Sequence, residues 1–184
     1  MNPTAWPVVV TSDSPGTTKQ LAARLAPLCQ SGDVILLIGD LGTGKTAFAQ
    51  GFAAGLGVAG PVTSPTFALV RQYPCADGEA VETLIHADVY RTGSLGEVAE
   101  LALAELVEER AVALIEWGDL AAPAVGENVL EVTLALPDLE PTAGPSDPGP
   151  SERRVISLGG RGRWVDRAGD VARALSALVP GAAS

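Results

Sequence analysis

Apolar residues follow two different rhythms along this chain. Residues 34–38, VILLI, and 111–116, AVALIE, run with almost no polar interruption. Strands covered on both faces of a parallel sheet read this way. Residues 128–136 alternate instead, and 8–11 and 154–158 form further short strand-like runs. Residues 61–73 read as a loop leading into a strand, and a turn at CADG precedes a strand from about 81 to 89. Helical spacing appears four times. Ser14 followed by Pro15 marks a helix start, and Leu21, Ala22, Leu25 and Leu28 give that helix one apolar face as far as about Cys29. A second helix begins at Lys45 and stops near Ala54, in GLG. Val98, Leu101, Ala102, Leu106 and Val107 predict a third over about 95–109, and a fourth covers about 165–179. Strands interleaved with helices predict an α/β fold.

The link between the first continuous run and the second helix carries the chemistry. Residues 39–46 read GDLGTGKT: a glycine, four residues, then Gly44, Lys45 and Thr46. This is the spacing of a phosphate-binding loop. Glycines allow successive backbone N–H groups to point inward at phosphate oxygens. Lys45 adds a point charge, the Thr46 hydroxyl can ligate Mg²⁺, and the following helix presents its positive end to the same anion. The chain's own residue frequencies put a chance match at roughly 0.3%, so an ordinary glycine-rich turn explains the stretch poorly.

Bulk properties narrow the setting. A chain of 184 residues with 47% hydrophobic content is read as one globular domain over 1–184. Within it, 137–151 (PDLEPTAGPSDPGPS) is expected to be a mobile loop and 180–184 a disordered tail. The apolar runs are too short for a membrane span, and the N-terminus lacks the pattern of a signal peptide. Cys29 and Cys75 are too few for a disulfide framework and have no metal-type spacing. A cytoplasmic protein is expected. The net charge of -10 opposes direct contact with nucleic acid or an anionic membrane, so any RNA would be held by a partner.

A nucleotide hydrolase also needs carboxylates near the metal. Leu84, His86 and Asp88 share one face of the strand in TLIHADVYR, with Asp88 at its end beside Tyr90 and Arg91. Glu116 ends the buried run AVALIE, where ligands sit in open α/β sheets. Blander readings stand beside these: Asp88 as a turn residue, Glu116 as a solvated strand-end charge, and His86 as a half-buried histidine bonded to backbone. The loop Thr63–Ser64–Pro65–Thr66–Phe67 has hydroxyls that can sense a terminal phosphate, or it is a plain turn.

Taken in order, GDLGTGKT (39–46), SPTF (64–67), HADVYR (86–91) and IEW (115–117) resemble the TsaE family, also called YjeE. Each later motif is short, but the order and spacing together are specific, and they cover about residues 18–117. The resemblance implies a single P-loop NTPase domain with a mixed parallel and antiparallel sheet flanked by helices. It implies an ATPase, slow alone, that acts with TsaB- and TsaD-like partners to form N6-threonylcarbamoyladenosine at position 37 of ANN-decoding tRNAs, touching tRNA only through those partners. It implies ATP and Mg²⁺ as cofactors. Nucleotide contacts would come from Thr18, Gly39, Asp40, Leu41, Gly42, Thr43, Gly44, Lys45, Thr46, Ala47 and Trp117. The metal would sit near Thr46, Glu116 and Asp88, with Lys45, Asp88 and Glu116 catalytic and Ser64, Pro65, Thr66 and Phe67 as a switch loop. The chain departs from the family pattern at Thr43 and Ala47, neither of which supplies an obligatory ligand, and also at Thr92 and Ala102, and 137–151 resembles an insertion expected to be dispensable.

Other functions with the same loop are a small-molecule kinase and a nucleotide-gated binding module with negligible turnover. A kinase needs an arginine-rich lid. This chain has two lysines, and its arginines concentrate at 153–173, beyond the motifs. No NKxD-type guanine reader is present, which disfavours a GTPase.

Overall fold

The structure is a computed structural model that describes residues 6–65, 69–76, 81–90, 110–137 and 153–176. The expected helix over 95–109, Arg91 and Thr92, most of the 137–151 loop and the 180–184 tail lie outside the described residues, as do Thr66 and Phe67.

Seven strands form one mixed sheet: β1 (Val8–Ser12), β2 (Val34–Ile38), β3 (Val70–Pro74), β4 (Thr83–Asp88), β5 (Ala111–Glu116), β6 (Val129–Ala135) and β7 (Arg154–Gly160), in the spatial order β1-β7-β6-β2-β5-β4-β3. The four central strands β6, β2, β5 and β4 are mutually parallel. Antiparallel strands close both sides, β7 and β1 beyond β6 and β3 beyond β4. The two continuous apolar runs are the adjacent central strands β2 and β5, as burial on both faces requires: every residue of β5 is buried.

Among the described residues the α-helices are α1 (Pro15–Leu25), α2 (Lys45–Gly55), α3 (Gly118–Ala121) and α4 (Ala168–Ser176). Ser14 caps α1 by accepting from the Thr17 N–H at 3.1 Å, and Pro15 takes the first helical position, where no N–H is needed. The helix ends at Leu25, earlier than the pattern predicts. Residues Ala26–Leu28 tighten into a 3-10 turn, because Pro27 has no N–H to continue the α-helical ladder. The last helix likewise starts later than expected, at Ala168, after a 3-10 segment Gly162–Arg167 that buries Trp164.

The sheet has a core on each face. Ile35 and Leu37 of β2, Leu84 of β4 and Val112 and Leu114 of β5 point to the face covered by α1 and α2. Val34, Leu36, Ile85, Ala87, Ala113 and Ile115 point to the other, packed with Ala121 of α3. The alternation puts His86, Asp88 and Glu116 on the α2 face, the side where the phosphate-loop helix lies.

Helices α1 and α2 touch backbone to backbone. A Cβ added at Gly51 would stand 2.1 Å from the Lys19 carbonyl oxygen, and one at Gly55 would stand 2.5 Å from that of Ala23. Gly51→Ala is therefore expected to destabilise the fold by about 1–3 kcal/mol, the usual cost of overpacking, despite the better helix propensity of alanine. Gly16→Ala, where the nearest atom is the Ser14 hydroxyl oxygen at 3.6 Å, should be neutral or mildly stabilising. Urea denaturation checks the pair; equal midpoints for the two variants would show that the helices have room to separate.

Candidate nucleotide-binding site

Parallel register builds the site. Leu37, next to the end of β2, pairs with Glu116 at the end of β5, and Glu116 pairs in turn with Asp88 at the end of β4. The chain leaves β2 through Gly39, Gly42 and Gly44, all with positive φ (142°, 84° and 106°). At Gly39 a side chain is doubly excluded, since a Cβ would lie 2.2 Å from the Leu134 carbonyl oxygen. Gly44 stands at the N-terminal end of α2 with no side-chain cap, and the first turn carries no acidic residue. The helix N-terminus therefore has unpaired N–H donors and its positive dipole end free for an anion.

A cleft of about 510 Å³ opens over this end, lined by Leu41, Gly42, Gly44, Lys45, Thr46, Ser64, Asp88, Tyr90, Glu116 and Trp117. The buried Lys45 ammonium donates to the Gly39 and Asp40 carbonyls at 2.6 and 2.8 Å and lies 3.8 Å from the centre of the Trp117 ring. Burial lowers its pKa below the usual 10.5, while Glu116, Asp88, Asp40 and Asp119 act in the opposite sense. The Thr46 hydroxyl donates to Glu116 Oε2 at 3.4 Å, so a hydroxyl and a carboxylate meet beside the loop. Asp88 is held by two donors, the Ser64 hydroxyl at 2.9 Å on one oxygen and the Tyr90 N–H at 3.0 Å on the other. Asp88 and Glu116 are both buried, at 4% and 3% exposure, so a solvated strand-end charge does not describe Glu116.

His86 differs from the bland expectation. It is fully buried, and its Nε2 lies 3.0 Å from Glu116 Oε1, so among the described residues it meets a carboxylate and not backbone. Trp117 adopts left-handed backbone angles, φ 62° and ψ 44°, as the chain turns from β5 into α3. Gly118 follows because a Cβ there would come within 2.5 Å of Leu36 Cβ. The turn brings the Trp117 ring to 4.5 Å from that of Tyr90.

Thr18 does not line this cleft. It is buried on α1, 2.7 Å from the Ser12 hydroxyl, and borders a separate recess of about 150 Å³ on the phosphate loop. Pro15, Gly42, Thr43, Gly44, Ala47 and Arg154 complete that recess. Thr43 points inward, its hydroxyl donating to the Asp40 carbonyl at 2.8 Å, whereas Leu41 is 86% exposed at the loop apex. Of the SPTF loop, Ser64 reaches the cleft through Asp88 and Pro65 is buried. Sequence reading missed Arg154 on β7, whose guanidinium donates to the Thr43 and Gly42 carbonyls at 3.0 and 3.3 Å. Nothing in the local sequence signals a contact 111 residues back along the chain.

A central parallel strand, a glycine loop, an uncapped helix and a carboxylate at the end of the neighbouring strand define a P-loop nucleotide-binding fold. Comparison with known proteins narrows the class. The chain belongs to the TsaE family: the family model described as threonylcarbamoyl adenosine biosynthesis protein TsaE matches residues 12–140. Among its relatives is the tRNA threonylcarbamoyladenosine biosynthesis protein TsaE of Bacillus subtilis, 38% identical over 121 residues, covering 66% of this chain and 73% of the relative. The protein of the same name from Streptomyces coelicolor is 39% identical over 118 residues (63% and 77%), and that from Treponema pallidum 36% over 125 residues (68% and 89%). The crystal structure of Bacillus subtilis YdiB superimposes with a TM-score of 0.68 at 27% identity, over 94% of this chain and 95% of that one.

The lowered Lys45 pKa gives a pH test. A bound polyphosphate favours the charged ammonium and raises that pKa, so affinity is full below the lowered value and declines as pH rises through it. Over the window between the two values, binding takes up a proton. Calorimetry of ATP in alkaline buffers of different ionisation enthalpy should show this uptake, with affinity falling at a lower pH than an ordinary lysine would give. Binding that is insensitive to pH up to 10.5 would contradict the burial effect.

Proposed function

We propose that this chain binds ATP with Mg²⁺ in the cleft and hydrolyses it slowly when alone. On this reading it works in the cytoplasm with TsaB- and TsaD-like partners to form threonylcarbamoyladenosine at position 37 of ANN-decoding tRNAs. One observation carries the reading: Lys45, Thr46, Asp88 and Glu116 converge on one cleft at the uncapped N-terminus of α2. The relatives' names support the pathway.

The residues fit a magnesium ion. Mg²⁺ keeps several waters and takes only one or two protein oxygens beside substrate phosphates. The Thr46 hydroxyl next to the Glu116 carboxylate is such a pair, and among the described residues no cage of three His, Cys, Asp or Glu side chains is formed. Bound there, the ion would neutralise phosphate charge. The loop N–H groups and Lys45 would bind and orient the phosphates. Asp88 accepts from the Ser64 hydroxyl and the Tyr90 N–H; on this reading it would polarise or position a water, and a change in the SPTF loop would reach it through Ser64.

Among the described residues no arginine lines the cleft, and Arg91, a candidate by sequence, lies outside them. A missing arginine can hold phosphoryl transfer on the order of 10³–10⁵ below its potential rate, which accounts for dependence on partners. The net charge of -10 keeps the isolated chain off tRNA, so tRNA is reached through those partners. ATP is favoured over GTP, since the sequence offers no guanine-reading motif.

The decisive experiment replaces the chromosomal gene and measures threonylcarbamoyladenosine in bulk tRNA by mass spectrometry. Loss on deletion, recovery with the wild-type chain and no recovery with Lys45→Ala are expected; undiminished modification in the deletion strain would refute the function. In vitro, Lys45→Ala or Thr46→Ala should each weaken Mg-ATP binding by about 1.5–3 kcal/mol.

The two carboxylates should separate in their effects. Glu116→Gln should weaken the Mg²⁺ dependence of binding. Asp88→Asn should leave ATP affinity nearly unchanged and slow phosphate release by roughly 10²-fold or more, with partners present. Normal turnover by Asp88→Asn would reduce Asp88 to a turn residue.

A further inference from the structure

His86 is a buried polar side chain in contact with the site that the proposed chemistry leaves without a task. It stands at 0% exposure on β4, where a leucine or valine would fill the same space without burying polar atoms. Its Nε2 meets Glu116 Oε1 at 3.0 Å, a diagonal contact across the β4–β5 pair, since His86 is in register with Leu114 and Asp88 with Glu116. A carboxylate oxygen accepts, so the contact is an Nε2–H donating to Glu116. Among the described residues Nδ1 has no hydrogen-bond partner. A histidine kept for packing would not need that unpaired nitrogen.

The geometry points to His86 as a positioning residue for Glu116: by occupying Oε1, the Nε2–H turns Oε2 toward the Thr46 hydroxyl and fixes the carboxylate as a one-oxygen ligand. Without it, the terminal torsion of a glutamate is broad and two-fold, and either oxygen can swing toward the Lys45 ammonium. With it, one oxygen is committed and the other stays beside Thr46 Oγ1, 3.4 Å away. A small cation with strict octahedral demands benefits from a ligand held in this way, and outer groups that orient ligands typically govern affinity by 10–100-fold.

This inference rests on Glu116 being a metal ligand, and the test separates the two. ATP binding by the full chain is measured by calorimetry, without divalent cation and across a Mg²⁺ titration, for wild type, His86→Gln, His86→Asn and Glu116→Gln. Glutamine carries an amide nitrogen about as far from the backbone as Nε2, whereas asparagine reaches only as far as Nδ1. His86→Asn should raise the Mg²⁺ needed for half-saturation by about 10-fold or more, and His86→Gln should restore it to within about 3-fold. Both should leave metal-free ATP affinity unchanged. The double variant of His86→Asn with Glu116→Gln should fall no further than Glu116→Gln alone. His86→Leu serves as the donor-less variant if His86→Asn does not fold. Unchanged Mg²⁺ dependence in His86→Asn, or in His86→Leu where it stands in, overturns the inference, as does equal loss in His86→Gln, or a matching loss of metal-free binding. Wild-type Mg²⁺ dependence in Glu116→Gln removes the ligand assignment itself, and the positioning role with it.

Discussion

The site depends on the in-register parallel pairing of β2, β5 and β4. Side chains alternate along a strand, so a slip of one residue would turn Glu116 or Asp88 to the opposite face of the sheet. The observed pairs, Leu37 with Glu116 and Glu116 with Asp88, put both carboxylates on the α2 face and at the height where the glycine loop departs. The register is fixed by burial. Ile35, Leu37, Val112, Leu114 and Leu84 must face one core while Val34, Leu36, Ala113, Ile115 and Ile85 face the other, and no pairing shifted by one residue satisfies both. The hydrophobic core and the polar site are thus one constraint seen at two heights along the strands.

Charge balance at that height makes the proposed metal dependence intelligible. Lys45 sits among the fields of Glu116, Asp88, Asp40 and Asp119, in a chain whose net charge is already -10. A polyphosphate entering the cleft meets one ammonium, the end of α2 and the loop N–H groups, but also two buried carboxylates. A cation held near Glu116 would offset that repulsion. The indole of Trp117 contributes without adding charge: its face lies against the Lys45 head group, and its edge of the cleft continues into Tyr90. The left-handed backbone at Trp117 is the strain that this placement requires, held by the tight fit of Gly118 against Leu36.

The sequence by itself determined the elements whose signal is local. VILLI and AVALIE read as central strands because a strand buried on both faces tolerates uninterrupted apolar residues. GDLGTGKT forms the loop because its glycines occupy the positive-φ positions the turn demands. Ser14 and Pro15 start α1 because cap chemistry lies within four residues of chain. Boundaries were less legible where local geometry overrode periodicity, as when Pro27 closed α1 four residues before Cys29 and Gly162–Arg167 formed a 3-10 turn ahead of α4. Tertiary structure alone decided which groups meet. That Nε2 of His86 faces Glu116 and not backbone, that Arg154 grips the phosphate loop, that Tyr90 packs on Trp117 and that Thr18 borders a recess outside the main cleft all follow from strand order, register and turn direction. The contacts of His86, Arg154 and Tyr90 join residues from 27 to 112 positions apart, and a local pattern carries no information about them, because the free energy that selects them comes from the packing of the whole sheet.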